Sequence, residues 1–189
     1  MSKCLISMIT AAICLVSLVI GCSHSHVVLG EIPRLDTKAE GLSGPFDHIT
    51  VTLVNAQTDD SDYPIKWGRR NTEWLINRKL CTEKLVEALG AELMARHGKV
   101  VDRASVTLSL KVTEVTSKLA HSKIYLDATA EVTSNLGWKK TYVGEGDAAD
   151  PMFSSHQENW NRAANWMITE LVRVIMSDRE FTAELSRKK

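Results

Sequence analysis

VTLSLKVTEVTSKLAHSKIYLDATAEVT, residues 106–133, alternates apolar and polar side chains along two successive runs. Val106, Leu108, Leu110 and Val112 fall on one side of the first run. Ile124, Leu126, Ala128, Ala130 and Val132 do the same in the second, after a turn near Ala120. A repeat of two is the repeat of an extended strand, so the stretch predicts a long hairpin with one buried face. The other face sets Thr107, Ser109, Lys111 and Thr113 against Asp127, Thr129, Glu131 and Thr133, side chains that can meet water.

Downstream, Asn135-Leu136-Gly137 turns the chain into a last strand near Trp138 to Gly144. From Ser155 to Ser177 the period changes: Trp160, Ala164, Met167, Leu171, Val174 and Ile175 recur at three and four, which predicts a long amphipathic helix. A short terminal helix is expected from Arg179 to Leu185. Upstream, His48 to Val54 alternates and predicts a first strand, residues 56–70 form a long loop, and Trp74-Leu75-Ile76 adds a short second strand. Asn77 is placed to cap a helix from Arg78 to His97, whose stripe is Leu85, Val86, Leu89 and Leu93 and whose left-handed stop is Gly98. The order predicts an α+β fold: a two-layer sandwich, with an antiparallel sheet of about four to five strands and two long helices on one face.

The beginning of the chain is of a different kind. Lys3 precedes an apolar run from Cys4 to Ile20, which ends on the small residue Gly21 and has the layout of an export signal. The run is short for a spanning helix, and no Lys/Arg cluster follows it. Leu18-Val19-Ile20-Gly21-Cys22-Ser23 resembles the bacterial lipobox. That resemblance implies cleavage after Gly21, and acylation of Cys22 through a diacylglycerol thioether and an amide-linked chain. At about 0.8 kcal/mol per buried methylene, several chains hold a protein on a bilayer essentially permanently. Ser23, where an inner-membrane retention signal would have Asp, implies sorting to the outer membrane. The expected division is a signal peptide over 1–21, a lipidated Cys and flexible tether over 22–46, and a single periplasmic domain over 47–189. Cys4 and Cys14 leave with the signal and Cys22 is acylated, so Cys81 has no disulfide partner.

The chain carries 23 Lys and Arg against 23 Asp and Glu, a balance that argues against nucleic acid as a partner. In the strand His48 to Asn55, the helix end Glu92-Leu93-Met94-Ala95-Arg96-His97-Gly98, the stretch Ile124-Tyr125-Leu126-Asp127-Ala128-Thr129-Ala130, and Met176-Ser177-Asp178 before Phe181, the chain over residues 48–186 resembles the YajG-like outer-membrane lipoproteins. The resemblance implies fold and location, and it brings no catalytic residue with it.

Several residue groups have the makings of chemistry and lack its context. Gly144-Glu145-Gly146-Asp147-Ala148-Ala149 has the spacing of a dinucleotide fingerprint but follows an antiparallel meander, with Pro151 ahead of the helix, so a strand end is the better reading. Asp150 and Ser154-Ser155-His156 contain the residue types of a hydrolase triad, yet a Ser at that place serves as a helix cap. His24 and His26 fall short of the three or four ligands zinc wants. Asp59, Asp60 and Asp62 lack the Gly turn and distant Glu of a calcium loop. Cys81 sits on the flank of a helix stripe, where a thiol packs as a hydrophobe, and His97 is too far along the same helix to activate it. No catalytic residue, cofactor or metal is therefore expected.

Aromatic residues in polar places are more informative. On a helical wheel Trp166 lies about 120 degrees from the centre of the Trp160, Met167, Leu171 stripe, beside Arg162 and Arg173, and should face outward. In the loop, Tyr63 and Trp67 stand near Arg69 and Arg70, and Trp, Tyr and Arg are the types enriched at binding hot spots. These five are the expected contacts of a partner, an envelope protein or cell-wall component. The expected role is a non-enzymatic binding or assembly accessory, tethered by lipid to the periplasmic face of the outer membrane. The alternatives are a carrier of a small lipid or cell-wall ligand and, behind it, an envelope hydrolase.

Overall fold

The long hairpin is the axis of the computed structural model, which describes residues 23–35, 46–67, 72–120, 122–149 and 156–187. In chain order the elements are β1 (Ser23–His26), β2 (Thr50–Asn55), β3 (Asp62–Trp67), β4 (Thr72–Asn77), α1 (Arg78–Ala95), β5 (Lys99–Val100), β6 (Val106–Ala120), β7 (Lys123–Ser134), β8 (Lys139–Ala149), α2 (His156–Ser177) and α3 (Arg179–Leu185). The expectations for the leader, Cys22, Arg69, Arg70, Asp150, Ser154 and Ser155 lie outside the described residues.

Strands β6, β7 and β8 form the antiparallel meander that their alternation predicts, with Ala120 opposite Lys123 at the turn and Thr133 opposite Lys139 at the other end. The register of β6 against β7 shifts between Val112 and Glu114. That bulge at Thr113 changes the parity of β6, so Val115 and Leu119 follow Leu108, Leu110 and Val112 onto the inner face, opposite Ala128 and Ile124. Helices α1 and α2 pack against this meander and against each other. Cys81, Leu85, Leu89 and Leu93 of α1 are buried, as are Trp160, Ala164, Met167, Leu171 and Ile175 of α2. Each large apolar side chain so buried contributes roughly 1.5–3 kcal/mol before entropy is counted.

The remainder departs from an all-antiparallel, two-layer sandwich. The main sheet has the order β5-β2-β6-β7-β8 and is mixed, because β2 runs parallel to both β5 and β6. A second sheet, β1-β4-β3, is paired separately, with β3 beside β6, and among the described residues the helices are the two long ones and the short terminal α3. Alternation reports which face of a strand is buried; it does not report the neighbour or its direction. The expected loop at 56–70 contains β3, whose Pro64 is tolerated because β3 is an edge strand.

The ends of α1 show how local chemistry sets boundaries. The Asn77 side chain accepts from the Leu80 amide at 2.9 Å, the cap that the sequence predicts. At the other end the left-handed residue is His97, with φ 70, and not Gly98. The His97 amide donates to the Met94 carbonyl and the Gly98 amide to the Leu93 carbonyl, a Schellman closure displaced by one residue from the expected one. Gly98 is needed for space instead: a Cβ there would stand 3.0 Å from the Leu93 carbonyl oxygen and 3.4 Å from Phe46 Cβ.

Candidate functional site

The segment expected to be a free tether is, over residues 23–35, laid along the domain. Strand β1 pairs in parallel with β4, Ser23 opposite Thr72 and His26 opposite Leu75, and the Val27 amide continues the ladder to the Leu75 carbonyl. Val27 and Leu29 are buried. Along α2, Gln157, Asn161 and Asn165 recur at every fourth residue and meet this strap with their amides. Gln157 Nε2 donates to the His26 carbonyl at 2.6 Å, Asn161 Oδ1 accepts from the Val28 amide at 2.8 Å, and Asn165 Oδ1 accepts from the Gly30 amide at 3.1 Å. Beyond it, Ile32, Pro33, Arg34 and Leu35 line a shallow cleft with Ala88, Ala91 and Val172. Phe46 is buried again, its amide on the Arg96 carbonyl. Below the strap Trp74 of β4 stacks on Trp160 of α2, with ring centroids 5.1 Å apart and planes 20° from parallel. That stack joins the small sheet to the helix layer.

The acidic stretch Asp59 to Asp62 is engaged by the first residues of α1. Tyr63 donates its hydroxyl to Asp59, and the Arg78 guanidinium lies 3.5 Å over the Tyr63 ring and 3.6 Å from the same carboxylate. The hydrogen bond from Tyr63, then that from the Ser61 amide, with the Arg78 charge adding to them, holds the Asp59 carboxyl down at about 2. Asn77 Nδ2 donates to the backbone and side chain of Asp60, and Lys79 pairs with Asp60 at 3.4 Å. Donors and cations thus occupy these oxygens, which is the opposite of a cation site. Arg78 also donates to the Thr113 carbonyl at 2.5 Å, while Thr82 Oγ1 accepts from the Val112 amide and Gln57 donates to the Val112 carbonyl. Three side chains so satisfy β6 at its bulge, where β2 has ended and β3 has not begun.

Of the expected partner contacts, Tyr63 is half-buried beneath Arg78, and its polar and aromatic surfaces are both in use. Trp67 ends β3 opposite Glu73; its side chain, with Arg69 and Arg70, lies outside the described residues. Trp166 is 49% exposed, as the wheel predicts, and sits in an outer stripe with Arg162 and Arg173. The Phe181 ring of α3 is buried against Trp138, 6.3 Å between centroids.

The remaining candidates are dispersed. Gly144 and Gly146 lie inside β8, not at a strand end. A Cβ on Gly144 would stand 2.7 Å from both the Met167 carbonyl oxygen and the Leu171 amide nitrogen, and one on Gly146 would overlap the Ala163 oxygen and the Met167 nitrogen. Their smallness seats α2 on β8; it does not cradle a phosphate. His156 is an exposed first residue of α2. Burial pushes the Cys81 thiol up to about 12, so it is no nucleophile. His24 and His26 each face one carboxylate, Glu73 at 3.0 Å and Asp62 at 3.4 Å. At the far side of the domain the Tyr142 hydroxyl donates to Asp178 at 2.6 Å and Lys140 pairs with the same carboxylate. Burial works to raise the Asp178 carboxyl, yet those hydrogen bonds outweigh it and hold it below the usual carboxylate range. The Tyr142 phenol is pushed up, chiefly by burial and then by Asp178. Asp178 caps α3 through the Glu180 amide, so this cluster fastens a helix. The amide ladder of α2 escaped sequence reasoning; its one signal was polar residues at every fourth place beside a buried stripe.

Among the described residues no helix is long and apolar enough to cross a membrane. No known family matches the sequence, and no curated protein matches it. Among solved structures the chain is similar to a candidate lipoprotein from Caulobacter crescentus CB15, at 15% identity and a TM-score of 0.46 over 74% of this chain and 93% of that one. It is also similar to a Xanthomonas campestris protein of the DUF330 family, at 14% identity and a TM-score of 0.45 over 85% and 99%. A third similarity is to PelC from Paraburkholderia phytofirmans, crystallised as a dodecamer, at 13% identity and a TM-score of 0.32 over 70% and 94%.

Proposed function

We propose that this chain is a lipoprotein of the bacterial envelope, cut before Cys22 and acylated there. In this reading its domain works without catalysis, as a binding or assembly accessory for another envelope component at the periplasmic face of the outer membrane. The observation that carries the accessory role is Trp166. A large aromatic side chain stands half out of the surface between Arg162 and Arg173, on a helix whose opposite side is buried. Exposed Trp with flanking Arg is the composition of an interface anchor. The close seating of α2 on Gly144 and Gly146 favours this role over a ligand carrier, which needs room between the layers.

Photo-crosslinking in cells from positions 166 and 67 tests it. A discrete adduct with one envelope protein is expected from position 166, weakened when Arg162 and Arg173 are changed to Ala. No adduct from either position would count against these surfaces.

A further inference from the structure

Two sets of contacts fix the end of the domain at which β1 starts. Along β6, the bulge at Thr113 meets Arg78, next to Asn77, which pairs with Asp62 at the start of β3; farther along, Ser117 Oγ donates to the Ile65 carbonyl at 2.5 Å. Strand β3 therefore climbs beside β6 toward the hairpin tip and ends at Trp67, one strand away from Glu73 and two from His24. Along α2 the contacts climb in the other direction from the same end: His26 is held by residue 157, Val28 by 161 and Gly30 by 165. The start of β1, the end of β3, the tip of the β6–β7 hairpin and the start of α2 thus share one end of the molecule. At this end His24 faces Glu73, Lys123 faces Asp147 at 2.8 Å, and Lys118 is exposed.

Ser23 is already hydrogen-bonded into the small sheet opposite Thr72. One peptide step is about 3.8 Å, so an acylated Cys22 has no length of chain with which to lift the domain from the lipid. We propose that the domain is seated directly on the phospholipid leaflet, with the β1 start and the β6–β7 hairpin tip against the headgroups. This rests on the lipoprotein reading given above and adds an orientation to it. Helix α2 then runs away from the leaflet, and at 1.5 Å per residue its stripe Arg162, Trp166 and Arg173 begins roughly 10 Å along the helix and ends roughly 25 Å along it. The partner of that stripe would be one anchored to the same membrane or lying close over it.

The test uses full-length, lipidated protein in vesicles of phosphatidylethanolamine and phosphatidylglycerol that carry a headgroup quencher. A fluorophore is attached to Lys118→Cys near the hairpin tip or to Arg103→Cys, just before the start of β6 and so at the strand's other end, roughly 40 Å away. Both are surface positions, and Cys81 is buried and unreactive. Quenching several-fold stronger at 118 than at 103 is expected. The difference should be lost when a Gly/Ser linker of about twenty residues, with a span of roughly 25 Å, separates Cys22 from Ser23. Equal quenching at the two positions in protein that floats with the vesicles would overturn the seating and leave the anchor in place. Protein that carries no acyl mass on Cys22 and does not float would overturn both.

Discussion

Gly146 shows most plainly how one missing side chain sets the structure. Its Cα faces the backbone of α2 at Ala163 and Met167, so a methyl group there has nowhere to go without lifting the helix. Gly146→Ala should cost about 3 kcal/mol, whereas Gly137→Ala, in a turn with φ 88 and open space, should cost about 1 kcal/mol from its left-handed backbone alone. Urea midpoints of the two variants measure the difference; a smaller loss at 146 would mean the helix is not so closely seated. Asp59 gives a pH-dependent counterpart. Its carboxyl is held at about 2 in the folded chain against an ordinary 3.8, so its contribution to stability is whole above 3.8 and fades as pH falls toward 2. Asp59→Asn should therefore be less stable than the parent at neutral pH and match it near pH 2. Circular dichroism of acid unfolding checks this, and a gap that persists at pH 2 would contradict it.

Strands and helices differed in how much of them could be read beforehand. Helices α1, α2 and α3 and the meander follow from periodicity, because a buried stripe or face dictates where the apolar residues fall. Strands β1 and β3 did not show: one is four residues of alternating Ser and His, the other holds Pro64 and begins at Asp62, just after Asp59 and Asp60. Both take their conformation from β4 between them. The strap over residues 23–35, which lies within the expected tether, did not show for a related reason. Its attachment comes from Gln157, Asn161 and Asn165, more than a hundred residues away, and no local pattern carries that information. Asn161→Ala with Asn165→Ala should remove the two hydrogen bonds to the strap, worth about 1 kcal/mol each, along with the bond that Gln157 donates to Asn161. Native-state hydrogen exchange should then show the Val28 and Gly30 amides opening at least several-fold more readily, while the amides of β7 hold. Unchanged protection at Val28 and Gly30 would deny the ladder its role.

At the scale of the molecule, the chemistry-bearing side chains among the described residues are scattered, while residues 23–35 are firmly laid down on the domain. Arg78, Tyr63 and Asp59 brace a strand gap, Asp178 and Tyr142 fasten α3, and Cys81 is packed away. Among the described residues, Trp166 is an exposed aromatic that shares the outer side of α2 with Arg162 and Arg173, on the helix that also holds the strap. Of the five contact residues expected from sequence, Trp166 stands where it was expected, Tyr63 is used internally, and Arg69, Arg70 and the Trp67 side chain lie outside the described residues. The accessory role proposed above asks more of this body's position than of its reactivity, and in that proposal the position depends on a covalent lipid on Cys22. Intact-mass and peptide mass spectrometry of the protein recovered from cell membranes tests that directly. The expected result is a chain that begins at Cys22 and bears a diacylglycerol and an amide-linked acyl group; a chain that begins elsewhere, or a free thiol at Cys22, would contradict it.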